Sequence, residues 1–506
     1  MNHIISVFCL YHRLILSYTP AILFMIHLIL FISSCTLNEN TSDVEYGTNQ
    51  SLSLVDDFSI HANSSADETN RHDIFLDEMR NSESIDMLLD LDPIPLAGGA
   101  TTHNSRGVGS FVQAASNLSL RRRGRFEAGL QFFQLTWEPT PNRSEIDGLG
   151  PTYNARSCIG CHQHNGRGKG PFEYESNILV RLGNENGVSD SKYGSQLQTN
   201  AIPGVRVEGR MIAMMDSTVY HSSDTTLISV NYNIDALAFG PLDPTINLSA
   251  RITPQLVGMG LIDAITEQDL LALEDVNDVD GDGISGRIAR TEEGEILRFG
   301  WKATQHSVLT QCAAAFFNDM GITSLFHPTE NCPPIQEGCH NAPSSPLDID
   351  EIRLEATATY VSLLGVPAHR HTSKVEYHKG LDLFVNIGCA TCHHPRFITG
   401  ISKETELSFQ EIWPYSDFLL HDMGEGLNDG VAEGDALASE WRTPPLWGLG
   451  LVPEVNGSLF LLHDGRARSI KEAILWHGGE AYQSTVAFEL LDEEQKELLI
   501  RFVQAL

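Results

Sequence analysis

Two short cysteine and histidine motifs are the residues best suited to chemistry in this chain. Each has two cysteines three positions apart with a histidine directly after them, in residues 158–162 and 389–393. One helical turn presents both thiols of such a motif to the vinyl groups of a haem, while the imidazole binds the iron from one side. A zinc or thiol redox site is the alternative for this spacing. The pair predicts two covalently bound c-type haems, one on Cys158, Cys161 and His162 and the other on Cys389, Cys392 and His393.

Helices must position these motifs. Before the first, Phe126, Leu130 and Phe133 recur at helical spacing, and residues 379–388 form a similar segment before the second. Residues 349–364 and 492–506 have the pattern of closing helices. The repeat predicts a mainly α fold with two cytochrome c-like domains, 95–370 and 371–506. An insertion with some β-structure, between residues 172 and 298, enlarges the first.

The N-terminal segment has the pattern of an export signal. A charge at Arg13 precedes an apolar stretch that closes on two serines and Cys35. Residues 1–35 therefore resemble a bacterial lipoprotein signal with acylation at Cys35, and a transmembrane anchor or a plain signal are the alternatives. Residues 36–94 are polar and acidic, as in a flexible tether. This predicts a lipid-anchored protein on the periplasmic or cell-surface side of a bacterial membrane.

The net charge, the remaining cysteines and one acidic loop give three further predictions, on the partner, a disulfide and a metal site. The formal net charge of −33 argues against a nucleic-acid partner, because binding phosphate needs excess Lys and Arg. In an oxidising compartment, Cys332 and Cys339 predict a short-loop disulfide, and Cys312 is left as a buried free thiol. Alternate carboxylates followed by glycine predict a calcium loop, with an acidic solvated turn as the alternative; the ligands would be Asp278, Asp280 and Asp282.

Several ordered segments around the two motifs resemble a known group of proteins. Residues 298–301, Gln311 and residues 319–321 lie between the motifs, and residues 420–424, 441–448 and 463–467 follow the second. In this order they resemble bacterial dihaem cytochrome c peroxidases and MauG-type relatives. The closest resemblance, over nearly all of 95–506, is to the family called di-haem oxidoreductase, putative peroxidase.

The resemblance implies roles for three residues. In peroxidases of the wider group, peroxide reacts at the N-terminal haem and electrons enter through the C-terminal haem. Trp301 matches a Trp between the haems, and Gln311 matches a distal-pocket Gln ten positions later. The acid that assists O–O cleavage is a Glu followed by Met, for which the nearest match here is Asp319 before Met320. A carboxylate near an open iron position serves first as base and then as acid.

Axial ligands beyond the two motifs are also implied. In this group the residue fourteen positions after the histidine of the His-Asp-Gly segment approaches the second iron. Counting from His463 reaches His477, at the end of a helical pattern, and Met423 is the alternative. For the first iron, His221 and His306 are candidates beside an open or water-filled position.

The leading interpretation is a dihaem oxidoreductase that reduces hydrogen peroxide or a related small substrate. Its donor would be a small electron-donor protein, a c-type cytochrome or a cupredoxin, or a quinol-linked donor. The alternatives are an electron-transfer cytochrome with both irons six-coordinate, and a MauG-like oxidase of a protein or small molecule. Access to the first iron separates these classes.

Overall fold

The structure is a computed structural model that describes residues 94–141, 147–173, 176–221, 226–370 and 372–506, with 216–221 described in backbone only. The predicted lipoprotein segment, with Cys35, and nearly all of the predicted tether lie outside these residues. Within the described part of the chain, no helix is both long and apolar enough to cross a membrane.

The helix before the first motif is α1, Leu120–Gln134. Its N-cap residue is Ser119, whose side chain accepts from the Arg122 backbone N–H. This helix packs closely on another, Glu351–Ser362, because it has a glycine at the crossing: a Cβ on Gly129 would meet the carbonyl oxygen of Ala356 at 2.1 Å. The predicted closing helix, 349–364, is thus present with slightly shorter bounds.

The second motif repeats this arrangement. Its leading helix, Lys374–Asn386, begins with a capping box between Ser373 and Glu376. The closing helix, Glu493–Ala505, begins with a capping box of its own. Again a glycine permits the crossing, because a Cβ on Gly380 would lie 2.3 Å from Cβ of Phe502.

The described residues contain thirteen α-helices and several short 3₁₀ turns. The α-helices are α1 Leu120–Gln134, α2 Cys158–Cys161, α3 Met259–Asp263, α4 Glu267–Leu273, α5 Val308–Met320, α6 Glu337–His340, α7 Glu351–Ser362, α8 Lys374–Asn386, α9 Cys389–Cys392, α10 Val452–Asn456, α11 Ile470–Leu475, α12 Tyr482–Leu490 and α13 Glu493–Ala505. The 3₁₀ turns are Gly99–Thr101, Gly107–Phe111, Gln163–Asn165, Thr405–Leu407, Leu449–Leu451 and Gly479–Ala481.

The strands form only two-stranded sheets in the described residues, so the fold combines helices with small sheets. The pairs are β1 Glu138–Pro139 with β2 Asp147–Leu149, β3 Thr152–Tyr153 with β5 Asn200–Ala201, β4 Leu179–Gly183 with β8 Asn247–Arg251, β6 Arg210–His221 with β7 Thr226–Asp235, β9 Ala289–Arg290 with β10 Ile296–Leu297, β11 Phe397–Ile398 with β12 Glu411–Ile412, and β13 Leu420–Asp422 with β14 Glu440–Arg442. The first pair is parallel and the others are antiparallel. The predicted β-insertion is therefore present, with the hairpin β6–β7 as its longest element.

Two hydrophobic clusters hold the motif helices. The first joins Phe126 and Tyr360 to residues from beyond position 370, such as Phe418 and Trp447. The second lies around Phe384 and includes much of the C-terminal part. A buried Phe contributes about 1.5–3 kcal/mol relative to an exposed one. Because the first cluster crosses the predicted boundary at residue 370, the parts before and after it share a core.

The cysteines outside the motifs agree with the sequence analysis. Cys332 and Cys339 form a disulfide, which confirms that prediction. Cys312, in α5, is a free and partly buried thiol, and burial raises its pKa to about 12.

Candidate haem sites

Both cysteine motifs line one cavity of about 640 Å³. Its wall also includes Trp301, Gln311 and His477. These residues come from separate parts of the sequence, and the fold brings them to one place. Most of the wall is apolar, with a few polar groups, as is usual for a cofactor site.

The first motif lies at a sharp turn. Its cysteines begin and end α2, and His162 directly follows that single turn. The Nδ1–H of His162 donates to the carbonyl oxygen of Pro254 over 3.1 Å, and the Phe133 ring lies 6.3 Å from the imidazole. Burial lowers the pKa of His162 to about 4. A neutral ring held through Nδ1 leaves Nε2 as a metal ligand.

The second motif has the same geometry. The Nδ1–H of His393 donates to the carbonyl oxygen of Tyr415 over 2.9 Å, and the Phe384 ring lies 6.1 Å away. Burial is the main cause that lowers the pKa of His393 to about 4. Two separate segments of the chain have therefore produced the same histidine environment.

His477 faces the second motif. The ring centres of His393 and His477 are 6.4 Å apart, and the Nδ1–H of His477 donates to the carbonyl oxygen of Ala473 over 2.6 Å. Two imidazoles that share one metal through bonds of roughly 2 Å place their ring centres about 6 Å apart. The spacing between these two histidines thus fits a single iron.

Buried cations provide a second test of whether haem fits the cavity. Arg167 and Arg442 line it, and burial lowers the pKa of each guanidinium to about 10. Their hydrogen bonds go to uncharged groups, such as the Phe460 and Gly300 carbonyls. Neither forms a salt bridge with a described carboxylate, and the attraction of Asp417 offsets only part of the burial of Arg442. A buried cation needs a counter-ion. The propionates of two haems would supply such charges, so these residues fit the cofactor.

Trp301 lies in the cavity wall. Its indole N–H donates to the carbonyl oxygen of Ile252 over 2.9 Å, and the guanidinium of Arg167 is 5.5 Å from the ring centre. Both contacts hold the indole in one orientation. Trp301 therefore lies in the wall of the cavity that the two motifs share, and its position between two haems stays a prediction.

Gln311 and Asp319 are on the same side of α5, two turns apart, and both line the cavity. Oε1 of Gln311 is buried and has no hydrogen-bond partner among the described residues. Asp319 accepts from Nε2 of Gln196 over 2.9 Å, and burial raises the pKa of its carboxyl group. The cavity thus has an amide and a carboxyl group at the wall formed by α5.

Of the other residues predicted to bind iron or calcium, only some lie at the cavity. Met423 lines the cavity, whereas His306 is exposed and is not part of the cavity wall. His221 ends β6, and its side chain is outside the described atoms. Oxygens of Asp278, Asp280 and Asp282 lie within 4.8 Å of one another, in a surface loop separate from the cavity.

Sequence reasoning missed four groups of the site. The carbonyl groups of Pro254 and Tyr415 have no side-chain signal. Gln196 lies more than 100 positions from its partner Asp319, so no local pattern indicates it. Arg167 follows the first motif closely and has glycines on both sides, which could have drawn attention to it.

The chain was compared with protein families, solved structures and curated proteins. The family model described as "Di-haem oxidoreductase, putative peroxidase" matches residues 94–200 and 235–506. Among solved structures, hydrazine synthase of Kuenenia stuttgartiensis pressurised with xenon is 15% identical, with a TM-score of 0.28, over 82% of this chain and 100% of that one. No curated protein matches the chain.

Proposed function

Because the chain belongs to the di-haem oxidoreductase, putative peroxidase family, we propose that it reduces a peroxide at the first haem with electrons received through the second. The haems would be covalently bound at the two motifs of two cytochrome c-like domains. The family implies haem cofactors and an oxidoreductase.

A difference between the two motif histidines is the observation that supports this division of roles. His393 faces His477 at 6.4 Å, a spacing that suits an iron with both axial positions filled. Around His162, the ring contact among the described residues is with Phe133, and no described histidine ring lies opposite. The first site is therefore the one at which a small substrate could reach iron.

Haem iron, when bound, would supply the electrons that cleave the O–O bond. The overall change is H₂O₂ + 2 e⁻ + 2 H⁺ → 2 H₂O, so two protons must enter from the solvent, besides any proton that moves between the two oxygens. The carboxyl group of Asp319 is suited to take a proton from one oxygen and return it to the other. The unpartnered amide oxygen of Gln311 can accept a hydrogen bond from a peroxide O–H. Trp301 would lie along the electron route.

An anaerobic redox titration followed by visible and EPR spectra tests the proposal. We expect one haem to be reduced first, and the other to become able to bind cyanide and react with peroxide in the half-reduced protein. If both haems remain low-spin and closed to cyanide in every redox state, the protein is an electron carrier. A half-reduced protein with an open haem that does not consume peroxide would also contradict peroxide reduction.

We propose a basic surface on the electron donor, because this chain has a formal charge of −33. A small c-type cytochrome or a cupredoxin would be such a donor, and a quinol-linked protein is the other class. Association with a basic donor should weaken as ionic strength rises.

The proposed lipid anchor is tested by replacing Cys35 with serine. Without the thiol there is no acylation, so Cys35→Ser protein should appear in the soluble fraction while the wild type remains with membranes. Fractionation followed by a haem stain measures this. If Cys35→Ser stays in the membrane fraction like the wild type, the apolar segment is a retained anchor.

The proposed calcium loop is tested with the metal alone. Binding to the folded state stabilises it by RT ln(1 + [L]/Kd), about 2.7 kcal/mol at 100 times Kd. We expect added calcium to raise the melting temperature of dialysed protein and Asp280→Asn to reduce that rise. Asp243→Asn, which changes a surface aspartate elsewhere, is the control. Dialysed protein without calcium that melts identically with calcium and with chelator would exclude the site.

A further inference from the structure

His421 joins the two chain segments that hold the imidazoles of the second haem site. It is a buried residue of β13, 2% exposed. Its Nε2 lies 2.7 Å from a carboxylate oxygen of Asp417, and its Nδ1 lies 2.7 Å from a carboxylate oxygen of Glu480. Since carboxylates only accept, both ring nitrogens must donate, and the ring is an imidazolium.

The first carboxylate belongs to the segment behind His393. Asp417 is two positions after Tyr415, whose carbonyl oxygen orients the His393 ring. The backbone N–H of Asp417 also donates to the carbonyl oxygen of Cys392 over 2.9 Å. A backbone hydrogen bond thus joins Asp417 directly to the second motif.

The second carboxylate, that of Glu480, belongs to the segment that carries His477. Glu480 is three positions after His477, and it also accepts from the backbone N–H of Ser285 over 3.0 Å and from that of Asp422 over 3.2 Å. His421 therefore bridges the chain behind one imidazole to the chain behind the other.

The contacts among Asp417, His421 and Glu480 are strengthened by the positive charge on the His421 ring. Burial has the largest single effect on the pKa of His421 and lowers it, but Asp417 and the other neighbours together outweigh burial and raise the pKa well above its usual value. Without the imidazolium, the buried carboxylate of Asp417 and the partly buried carboxylate of Glu480 would lack a common counter-ion and would repel each other. The bridge thus holds one carboxylate of each segment to a single cation.

We propose that His421 is a positioning residue that fixes the spacing of the His393 and His477 segments and so keeps the second iron closed to outside ligands. This inference rests on the proposed haem ligation by these two histidines. Groups that orient metal ligands without touching the metal typically change metal affinity 10- to 100-fold when they are replaced. His421 would act in this way on both axial segments at once.

The test is ligand binding to the reduced, haem-loaded protein, with carbon monoxide as the probe. In the wild type we expect the second haem to remain six-coordinate and unreactive. In His421→Gln the equilibrium constant for replacement of His477 by carbon monoxide should rise about 10- to 100-fold. Glu480→Gln breaks the bridge more gently and should shift the constant in the same direction, which covers the case in which the first variant does not fold.

A matched control is Glu440→Gln. Glu440 is a buried carboxylate on the neighbouring strand β14 that pairs with Arg287 over 2.6 Å. It belongs to neither axial segment, so this variant should bind carbon monoxide like the wild type.

Two outcomes would overturn the inference in different ways. A wild-type second haem without the EPR signature of two histidines would show that the ligation itself is wrong. Confirmed ligation by two histidines, with His421→Gln and Glu480→Gln both as closed as the wild type, would show that the bridge does not position them. Neither readout depends on peroxide turnover, so failure of the proposed reaction remains a separate result.

Discussion

Replacing Asp319 with asparagine should slow peroxide reduction roughly 10²- to 10⁴-fold, the usual contribution of a general acid–base group. Asparagine can still accept the hydrogen bond from Gln196, so the change removes proton transfer and little else. The rate at which half-reduced protein consumes peroxide in a stopped-flow instrument measures this. Cyanide binding to the first haem should change little.

The pH dependence of the peroxide rate also tests whether Asp319 acts as an acid–base group. Burial raises the pKa of Asp319, so the carboxylate needed as a base is lost at a higher pH than for an ordinary aspartate. The wild-type rate should fall as the pH decreases through this raised pKa, and Asp319→Asn should not show this decrease.

Asp348→Asn is a suitable control for the Asp319 variant. Asp348 is also buried with a raised pKa, but it bonds to Thr323 outside the cavity wall. This variant should lose stability and keep the peroxide rate. A wild-type rate in Asp319→Asn would remove Asp319 from the mechanism.

Replacing His477 should have the second large effect, on the reduction potential of the C-terminal haem. Two imidazoles favour ferric iron more than imidazole and thioether do. His477→Met should therefore raise the midpoint potential by on the order of 0.1 V, within the roughly 0.8 V that axial ligands span. His477→Ala should open the iron to carbon monoxide. A potentiometric titration with near-infrared and EPR spectra records both changes.

Met423 is the control for this assignment, because it also lines the cavity. Met423→Leu should leave the potential and the spectra of the second haem unchanged. A methionine-to-iron charge-transfer band in the wild type that survives His477→Ala would show that Met423 completes the coordination instead.

Much of the helical framework could be predicted because its signals are local. The apolar spacing around Phe126 and Phe133 predicts α1, and the acids at 492–494 suit the start of α13. The family resemblance, drawn from ordered motifs, is confirmed by the match over 94–200 and 235–506. The axial role of His477 is implied by the family resemblance, and it stays a prediction that the 6.4 Å spacing supports.

The contacts that shape the site could not be predicted, because they join distant segments. The Pro254 carbonyl that orients His162 is 92 positions away, and Glu480 is 59 positions from His421. Such pairs depend on how the helices and loops pack, and a side chain type alone does not indicate them. The register of β4 with β8 is non-local in the same way, so the sequence indicated strands without their partners.

The hairpin β6–β7 lies almost entirely within residues 201–234, the stretch outside the family match. Leu227 is nevertheless buried in the cluster around Phe384, and the Tyr232 hydroxyl donates to the carbonyl oxygen of Asp464 over 2.6 Å. Local unfolding follows groups of residues that share buried contacts. Slow hydrogen exchange should therefore extend into the described part of β7 near Leu227, and it should become faster there when the haems are missing. An element outside the family match would in this way report on the integrity of the cofactor site.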